Sequence, residues 1–459
     1  MTMQTAIYRR LPHVAAWLVL GLCLALVCAH ASAATDGMQL ERVVLLYRHG
    51  VRTPLPGEIQ LNEASGKPWP VWKQAPSQMT PHGIAGVKLM GGYDRQRLAG
   101  LGLFEERGCP ATGQLWFWAN TDQRTIDSAA ALAEGFAPGC HIAVGHKPQG
   151  SEDPLFHPME AKTVEWNAAD AIASIQSATG GPDALTAPHT DALTTMAQVL
   201  GCGGAQDPAW CSPKEWHGSL SLAPETGRMT LTGPIATTSG TAEVILMAYA
   251  EGRPLPEVGW GRTDAQKLEQ LSQLHALLFD IHARPAYMAE RVASTMSRRL
   301  LELLRNDKAP RLSVLVGSDN NIVALASVLG LHFQLAGYAK DDPPIGGALG
   351  IELWKDHAGK RYVRAFYQAQ SLDQLRELRA LDPQSPPATL PLTPAGCAEN
   401  EPCPLETVLP ALEGAAAHVR TAEVAWMPGF MGTLLWPTST RSLPKLESFS
   451  LREKVPAGG

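Results

Sequence analysis

The 459-residue sequence lacks the marks of several large classes of protein. Beyond residue 34 it has no apolar run long enough to cross a bilayer, and it has no visible internal repeat or low-complexity stretch. Its eight cysteines contain no C-x-x-C pair, so a zinc ribbon is not supported. Acidic residues outnumber basic ones, 44 to 38, which argues against a nucleic-acid-binding protein. We therefore expect a globular protein that binds no nucleic acid and, without its first 34 residues, no membrane.

The first 34 residues are typical of a signal peptide. Arg9 and Arg10 supply the positive end, residues 17–29 form an apolar run, and residues 31–33 (A-S-A) resemble a cleavage site. An uncleaved membrane anchor is the alternative, although the run is short for a span. We predict a periplasmic or secreted protein. Removal of this segment takes two from the 38 basic residues and leaves a net charge of −8, so affinity for an anionic substrate requires a local basic cluster.

Six cysteines remain after the predicted signal peptide, and an even number in an exported chain suggests disulfide bonds. Six cysteines permit 15 connectivities, and free buried thiols are a further alternative. Proximity along the chain favours three pairs: Cys109 with Cys140, Cys202 with Cys211, and Cys397 with Cys403.

One apolar run ends abruptly in basic residues. Residues 42–47 (R-V-V-L-L-Y) are typical of a strand that is buried on both faces. Arg48, His49 and Arg52 follow, and Pro54 ends the regular structure. The sequence thus predicts two arginines and a histidine at the carboxyl end of a buried strand.

Two further apolar runs show the same arrangement. Residues 114–119 lead to Arg124, in the first turn of a predicted helix, where backbone N–H groups already favour an anion. Residues 312–316 lead to Ser318 and Asp319, at the start of another predicted helix. Because ligands of open α/β sheets bind outside the carboxyl ends of the strands, we expect these side chains to share one site.

These residue types suit a phosphate group. Arg48, Arg52 and Arg124 offer planar forks that match phosphate oxygens. A histidine among cations stays neutral and keeps one ring nitrogen free as a nucleophile, which suits His49. A carboxyl group beside a bound phosphate is pushed towards its protonated form, so Asp319 could protonate a leaving alkoxide. Each residue alone would more simply cap a strand or a helix, but together they favour a common anion site.

The motif R-H-G-x-R-x-P at residues 48–54 resembles the signature of the histidine acid phosphatases. The similarity extends over roughly residues 38–410 and is to the bacterial phytase and glucose-1-phosphatase branch of that family. The segments that carry it are residues 68–72, 80–83, 92–98, 123–125, 137–140, 153–156, 259–262, 344–347 and 395–397.

The resemblance implies an α/β fold with a mostly parallel sheet flanked by helices and an inserted, mainly α-helical second domain, as in phosphoglycerate-mutase-like proteins. Residues 35–156 and 301–459 would form the discontinuous catalytic domain, and residues 157–300 the insert. Helical patterns at residues 264–281 and 285–304 agree with such an insert.

The resemblance also implies an activity, the hydrolysis of phosphomonoesters such as sugar phosphates or inositol phosphates through a phosphohistidine. It implies His49 as the nucleophile, Asp319 as the proton donor, and Arg48, Arg52 and Arg124 as phosphate ligands. It further implies the three disulfide pairings given above. No metal or cofactor is expected, since no spacing of His, Asp or Glu suggests a metal site.

Two features depart from the family pattern. The family has a histidine directly before its catalytic aspartate, and Ser318 stands there; we expect it to contact phosphate as a weaker donor. The loop at residues 55–63 contains Glu58 and Glu63 but none of the lysine that the bacterial phytases tend to carry there, although Lys67 and Lys73 follow. The first departure leaves open a catalytically weak or silent phospho-ligand-binding protein, and transfer to a sugar acceptor is another alternative.

Overall fold

The computed structural model of this chain describes residues 37–59, 68–204, 207–223 and 228–420. The predicted signal peptide, Glu63, Lys67 and the C-terminal residues 421–459 lie outside these ranges. No helix within these ranges combines the length and the hydropathy of a membrane span.

The described residues contain two sheets, one of eight strands and one of two. The large sheet has the order β10-β8-β7-β1-β6-β2-β3, with β9 paired to β8, and the small one pairs β4 with β5. Neighbouring strands from β1 to β3 in this order are parallel, whereas β7 to β10 pair antiparallel with their neighbours. The strands are β1 Gln39–Arg48, β2 Leu115–Ala119, β3 Val144–Gly145, β4 Ser219–Leu222, β5 Met229–Thr232, β6 Leu312–Gly317, β7 Ala348–Lys355, β8 Arg361–Ala369, β9 Ala388–Leu392 and β10 Cys403–Pro404.

Three parallel strands, β1, β6 and β2, lie side by side and end together. Arg48 of β1 is level with Gly317 of β6, and Ala119 of β2 is level with Val316. β6 is buried along its whole length, as its largely apolar sequence predicts. The three strands predicted from apolar runs are therefore confirmed, and their carboxyl ends meet at one edge of the sheet.

Helices cover the sheet, as the α/β fold class requires, and form most of the regular structure between β3 and β6, where β4 and β5 make a small hairpin. The helix predicted over residues 285–304 is in fact two helices, because Ala293 (φ −93°, ψ 4°) departs from helical geometry between them. The helices are α1 Pro81–Gly100, α2 Gln123–Phe136, α3 Ala168–Thr179, α4 Pro182–Thr186, α5 Thr190–Leu200, α6 Pro234–Ala250, α7 Ala265–His282, α8 Ala286–Val292, α9 Ser294–Arg305, α10 Asp319–Val328, α11 Leu372–Glu377 and α12 Leu405–Ala416.

An apolar cluster joins the helices of the middle of the chain to the end of β1. Met196 of α5, Ile245 of α6 and Leu274 of α7 belong to the same buried cluster as Val51 and Ile345. Since Val51 lies two residues after His49, this packing brings α6 and α7 to the edge of the sheet where the strands end.

The three disulfide bonds predicted from spacing are present. The Cα atoms are 5.6 Å apart for Cys109–Cys140 and 5.7 Å for Cys202–Cys211. The corresponding distance for Cys397–Cys403 is 5.3 Å, so all three lie within the usual range for a bridged pair.

Candidate active site

The residues predicted to form one site lie together at the carboxyl edge of the parallel strands. Arg48 ends β1, Arg124 lies in the first turn of α2, and Asp319 begins α10. An Nη atom of Arg48 is 3.1 Å from a carboxylate oxygen of Asp319, so groups that are far apart in sequence are in contact. His49 and Arg52, which follow β1, are almost fully buried beside them.

The imidazole of His49 is held in one tautomer. Its Nδ1 lies 2.9 Å from the carbonyl oxygen of Gly50, which can only accept, so Nδ1 carries the proton and Nε2 has a free lone pair. Burial lowers the pKa of this imidazole well below its ordinary value, and the charges of the three arginines around it lower the pKa further. This shift favours the neutral imidazole, the form that the sequence analysis expects of His49.

Close packing explains the glycine that follows this histidine. A Cβ atom at Gly50 would lie 2.6 Å from the Met79 side chain and 2.5 Å from that of Val87. The Gly50 N–H also donates to the Ser128 hydroxyl at 3.1 Å. These contacts fix the peptide whose carbonyl group orients His49.

Three buried donors surround the histidine without a partner. The Nε atoms of Arg48, Arg52 and Arg124 are inaccessible to solvent, and no described residue accepts a hydrogen bond from them. The Nε atoms of Arg253, Arg291 and Arg299 share this property elsewhere in the described residues, so it is the three positive charges close to the imidazole that favour an anionic ligand. A phosphate group has the complementary charge and oxygens that match guanidinium groups.

Arg48 is held by the protein on its other side. Its Nη1 donates to the carbonyl oxygen of Pro343 at 2.6 Å, and its Nη2 donates to the Glu243 carboxylate as well as contacting Asp319. The guanidinium is therefore fixed in position by two carboxylates and a carbonyl group before any ligand binds.

Arg124 is oriented by its own loop. An Nη atom donates to Asp122 at 2.9 Å, and the amide of Asn120 donates to the same oxygen at 3.2 Å. The Asn120 amide also lies 2.9 Å from Nε2 of His157, a residue with no recognisable sequence signal. The short segment after β2 thus positions the arginine that the sequence predicted as a ligand.

Arg52 forms a two-pronged ion pair with Glu58. Its Nη1 and Nη2 donate to the two carboxylate oxygens at 2.7 and 2.6 Å, and one of those oxygens also accepts from the Leu55 N–H at 2.7 Å. The Thr241 hydroxyl of α6 donates to the Glu58 carbonyl oxygen at 3.3 Å. A carboxylate of the protein therefore occupies the fork that the sequence predicted for phosphate.

Asp319 is ionised in the ligand-free protein. Burial would raise the pKa of its carboxyl group, but the positive charges of Arg48 and His275 beside it prevail and lower the pKa below its usual range. One carboxylate oxygen also accepts from the Asn320 N–H at 2.8 Å. The predicted proton donor must therefore first gain a proton.

Ser318 uses its hydrogen bonds within the turn that starts α10. Its hydroxyl donates to the side-chain oxygen of Asn321 at 3.1 Å, and its N–H donates to the same oxygen at 3.0 Å. The Asn321 amide in turn donates to the Phe156 carbonyl at 2.8 Å. Contact between Ser318 and phosphate remains a prediction, which requires this hydroxyl to change partner.

Two site residues were missed by the sequence interpretation. Glu243 on α6 and His275 on α7 reach the site from helices with no motif, and both are almost fully buried. Nε2 of His275 lies 3.7 Å from Glu243 and 3.8 Å from Asp319, and its Nδ1 lies 2.7 Å from Asp342. A charged residue inside the apolar run of α6 (A-E-V-I-L-M-A) was the available signal for Glu243.

The strand ends of this α/β sheet carry a neutral histidine among three arginines, with a carboxyl group alongside. This arrangement is typical of the histidine phosphatases as a class. The sequence profile described as "Histidine phosphatase superfamily (branch 2)" matches residues 39–201 and 225–368. The chain belongs to this family, as its motifs predicted.

Individual relatives agree with this assignment. The chain is 30% identical to phytase AppA of Escherichia coli (strain K12) over 389 residues, which are 79% of this chain and 88% of that protein. It is 30% identical to the glucose-1-phosphatase of Salmonella typhimurium over 404 residues, 84% of this chain and 95% of that protein. The solved structure of Hafnia alvei phytase with myo-inositol hexakis sulphate matches 85% of this chain and 99% of its own, with a TM-score of 0.76 and 29% identity. The predicted fold class and family branch are therefore confirmed.

Proposed function

We propose that this protein is an acid phosphatase that hydrolyses phosphomonoesters through a phosphohistidine on His49. The observation that carries the proposal is the free Nε2 of an imidazole whose pKa is lowered by burial and by the charges of the three arginines around it. The family and the names of the relatives support the same reaction. A catalytically silent ligand-binding protein would have no need of an imidazole held neutral in this way.

In the first step, the phosphate group accepts hydrogen bonds from Arg48, Arg52 and Arg124. Nε2 of His49 attacks phosphorus, and the bond from phosphorus to the ester oxygen breaks. The arginines stabilise the charge that spreads over the phosphoryl oxygens during transfer. The protonated carboxyl group of Asp319 gives its proton to the departing alkoxide, which leaves as an alcohol.

In the second step, water attacks the phosphohistidine. Asp319, now a carboxylate, takes a proton from this water and so returns to its acid form. The bond between phosphorus and Nε2 breaks, inorganic phosphate leaves, and His49 is again neutral.

The substrate that we propose is an ester with one phosphate on a polar organic group, such as a sugar phosphate or a lightly phosphorylated inositol. The relatives include both a phytase and a glucose-1-phosphatase, so the family alone does not choose between them. Glu58 supports the choice, because it places a negative charge against Arg52, where further phosphates of a hexaphosphate would be repelled.

Replacement of Glu58 by glutamine should lower the inhibition constant of inorganic phosphate by about tenfold. The neutral amide competes less well than a carboxylate for the Arg52 fork, so phosphate gains that donor more easily. Inhibition of p-nitrophenyl phosphate hydrolysis measures the effect, and replacement of the exposed Glu106 by glutamine is the matched control. Weaker phosphate binding in the variant would show that Glu58 helps phosphate to bind rather than competing with it for Arg52.

Turnover should be unchanged by a chelator. The arginines neutralise the phosphate charge themselves, so no step above needs a Lewis acid. Within the described residues, the one group spaced to hold a metal ion is Cys202, Asp207 and Cys211, and its two cysteines form a disulfide. Loss of activity in chelator that one divalent ion restores would contradict this mechanism.

We infer that the protein works outside the cytoplasm, in the periplasm or beyond. Three disulfide bonds support this inference, because such bonds form and persist in oxidising compartments.

We also propose the division into a catalytic domain, residues 35–156 and 301–459, and an insert, residues 157–300. The run of helices from α3 to α8 supports that division, whereas α9 crosses the proposed boundary after residue 300.

A further inference from the structure

His275 is a buried histidine next to the reacting groups, and the two steps above give it no role. Its Nδ1 lies 2.7 Å from Asp342, whose other carboxylate oxygen accepts from the Ser272 hydroxyl. The Ser272 oxygen itself accepts from the Ala339 N–H at 2.7 Å. The imidazole also meets the Phe279 ring edge-on, with centroids 5.0 Å apart. These contacts fix the ring and leave Nε2 as its free end.

The free end of His275 lies between two carboxylates. Nε2 is 3.8 Å from Asp319 and 3.7 Å from Glu243, and the Glu243 oxygen concerned has no hydrogen-bond partner among the described residues. Both carboxylates also contact Arg48. Nε2 thus lies less than an ångström beyond hydrogen-bond distance of the Asp319 carboxylate, which is the proposed acid.

The proposed acid needs such a source. Asp319 is a carboxylate in the free protein, yet the first step requires it to deliver a proton to the alkoxide. Bound phosphate changes the balance, because its negative charge beside Arg48 weakens the hold of that arginine on Asp319. The carboxylate then gains affinity for a proton at the moment when the reaction needs one.

We propose that His275 is a positioning residue that acts through Asp319 by supplying it with this proton. Asp342 holds the imidazole of His275 in place. The inference rests on the proposed function. The Nε2–H bond of His275 breaks and an O–H bond forms on Asp319, so an imidazolium and a carboxylate become a neutral imidazole and a carboxylic acid. Asp319 then protonates the alkoxide. When water attacks the phosphohistidine, Asp319 takes a proton from it and returns one to Nε2, which restores the starting state.

The charges around His275 keep the proton available. Burial alone would lower its pKa, but the carboxylates of Asp342 and Glu243 raise the pKa to about 9. Asp319 at the start of α10 adds to their effect, and the cationic Arg48 at the end of β1 opposes it. The imidazole is therefore charged over the whole acidic and neutral range when the site is empty.

Replacement of His275 by glutamine tests the inference. The substrates are glycerol 2-phosphate, whose alkoxide needs a proton, and p-nitrophenyl phosphate, whose phenolate leaves without one. We expect kcat to fall by about 30-fold or more on the first and by less than about threefold on the second. The difference between the two losses in kcat should shrink as the pH falls from 7 to 4, because solvent can then protonate Asp319. The control is the same change at His282, which lies on the same helix α7.

Three outcomes would overturn the inference: equal losses on the two substrates, no loss on either, or a selective loss that does not depend on pH. Failure of this inference is distinguished from failure of the proposed function by the unaltered protein. If the unaltered protein does not turn over p-nitrophenyl phosphate, the proposed function itself is contradicted. Replacement of Asp342 by asparagine is the second variant, in case His275→Gln does not fold. It should give a smaller loss with the same dependence on leaving group and pH.

Discussion

Replacement of His49 by alanine should lower kcat on p-nitrophenyl phosphate by a factor on the order of 10⁴ or more. The change removes the only protein atom that we propose bonds to phosphorus, and a water molecule in the space left by the imidazole would be a poorly placed substitute. The three arginines remain, so the variant should still bind inorganic phosphate. The comparison of kcat with a binding measurement therefore separates loss of the nucleophile from loss of the site.

The matched control for this change is His146→Ala, which removes an exposed imidazole and should leave kcat and the melting temperature unaltered. A His49→Ala protein that keeps its melting temperature and retains more than about a tenth of the activity would place the nucleophile elsewhere.

The second large effect is expected at Asp319. Asparagine has nearly the same shape but cannot give up a proton, so kcat on glycerol 2-phosphate should fall by about 10³-fold. On p-nitrophenyl phosphate the fall should be less than about tenfold, because the phenolate is stable without a proton. Phosphate should bind more tightly to the variant, since a negative charge beside Arg48 has been removed.

Parallel measurements on the two substrates check this prediction. Equal losses in kcat would show that Asp319 mainly shapes the site through its contact with Arg48. Weaker binding of phosphate would likewise contradict the charge argument. Asp122→Asn is a useful comparison, because Asp122 holds another arginine of the site and has no proposed role in proton transfer.

The strand ends were predictable because strand and site are encoded locally. Apolar runs that stop at Arg48, before Arg124 and before Asp319 mark both the strands and the chemistry, and parallel neighbours carry their last residues to one edge. The tautomer of His49 was not readable, because it depends on how the Gly50 carbonyl group is turned.

The supporting residues were not predictable from the sequence. Glu243 and His275 reach the site through packing of α6 and α7 against the end of β1, a long-range contact that no local pattern encodes. Glu58 was visible as an acidic residue in a loop, but its pairing with Arg52 depends on the course of that loop. The place of Ser318 in the turn of α10 likewise follows from the position of Asn321.

The most direct test of the account is to trap the phosphorylated protein. Enzyme mixed with a ³²P-labelled phosphomonoester and stopped in alkali, where phosphohistidine survives, should carry label on the peptide that contains His49. The label should be lost in acid and should be absent from the His49→Ala protein. Label at full stoichiometry in that variant, or on a different peptide of the unaltered protein, would contradict a phosphohistidine at His49.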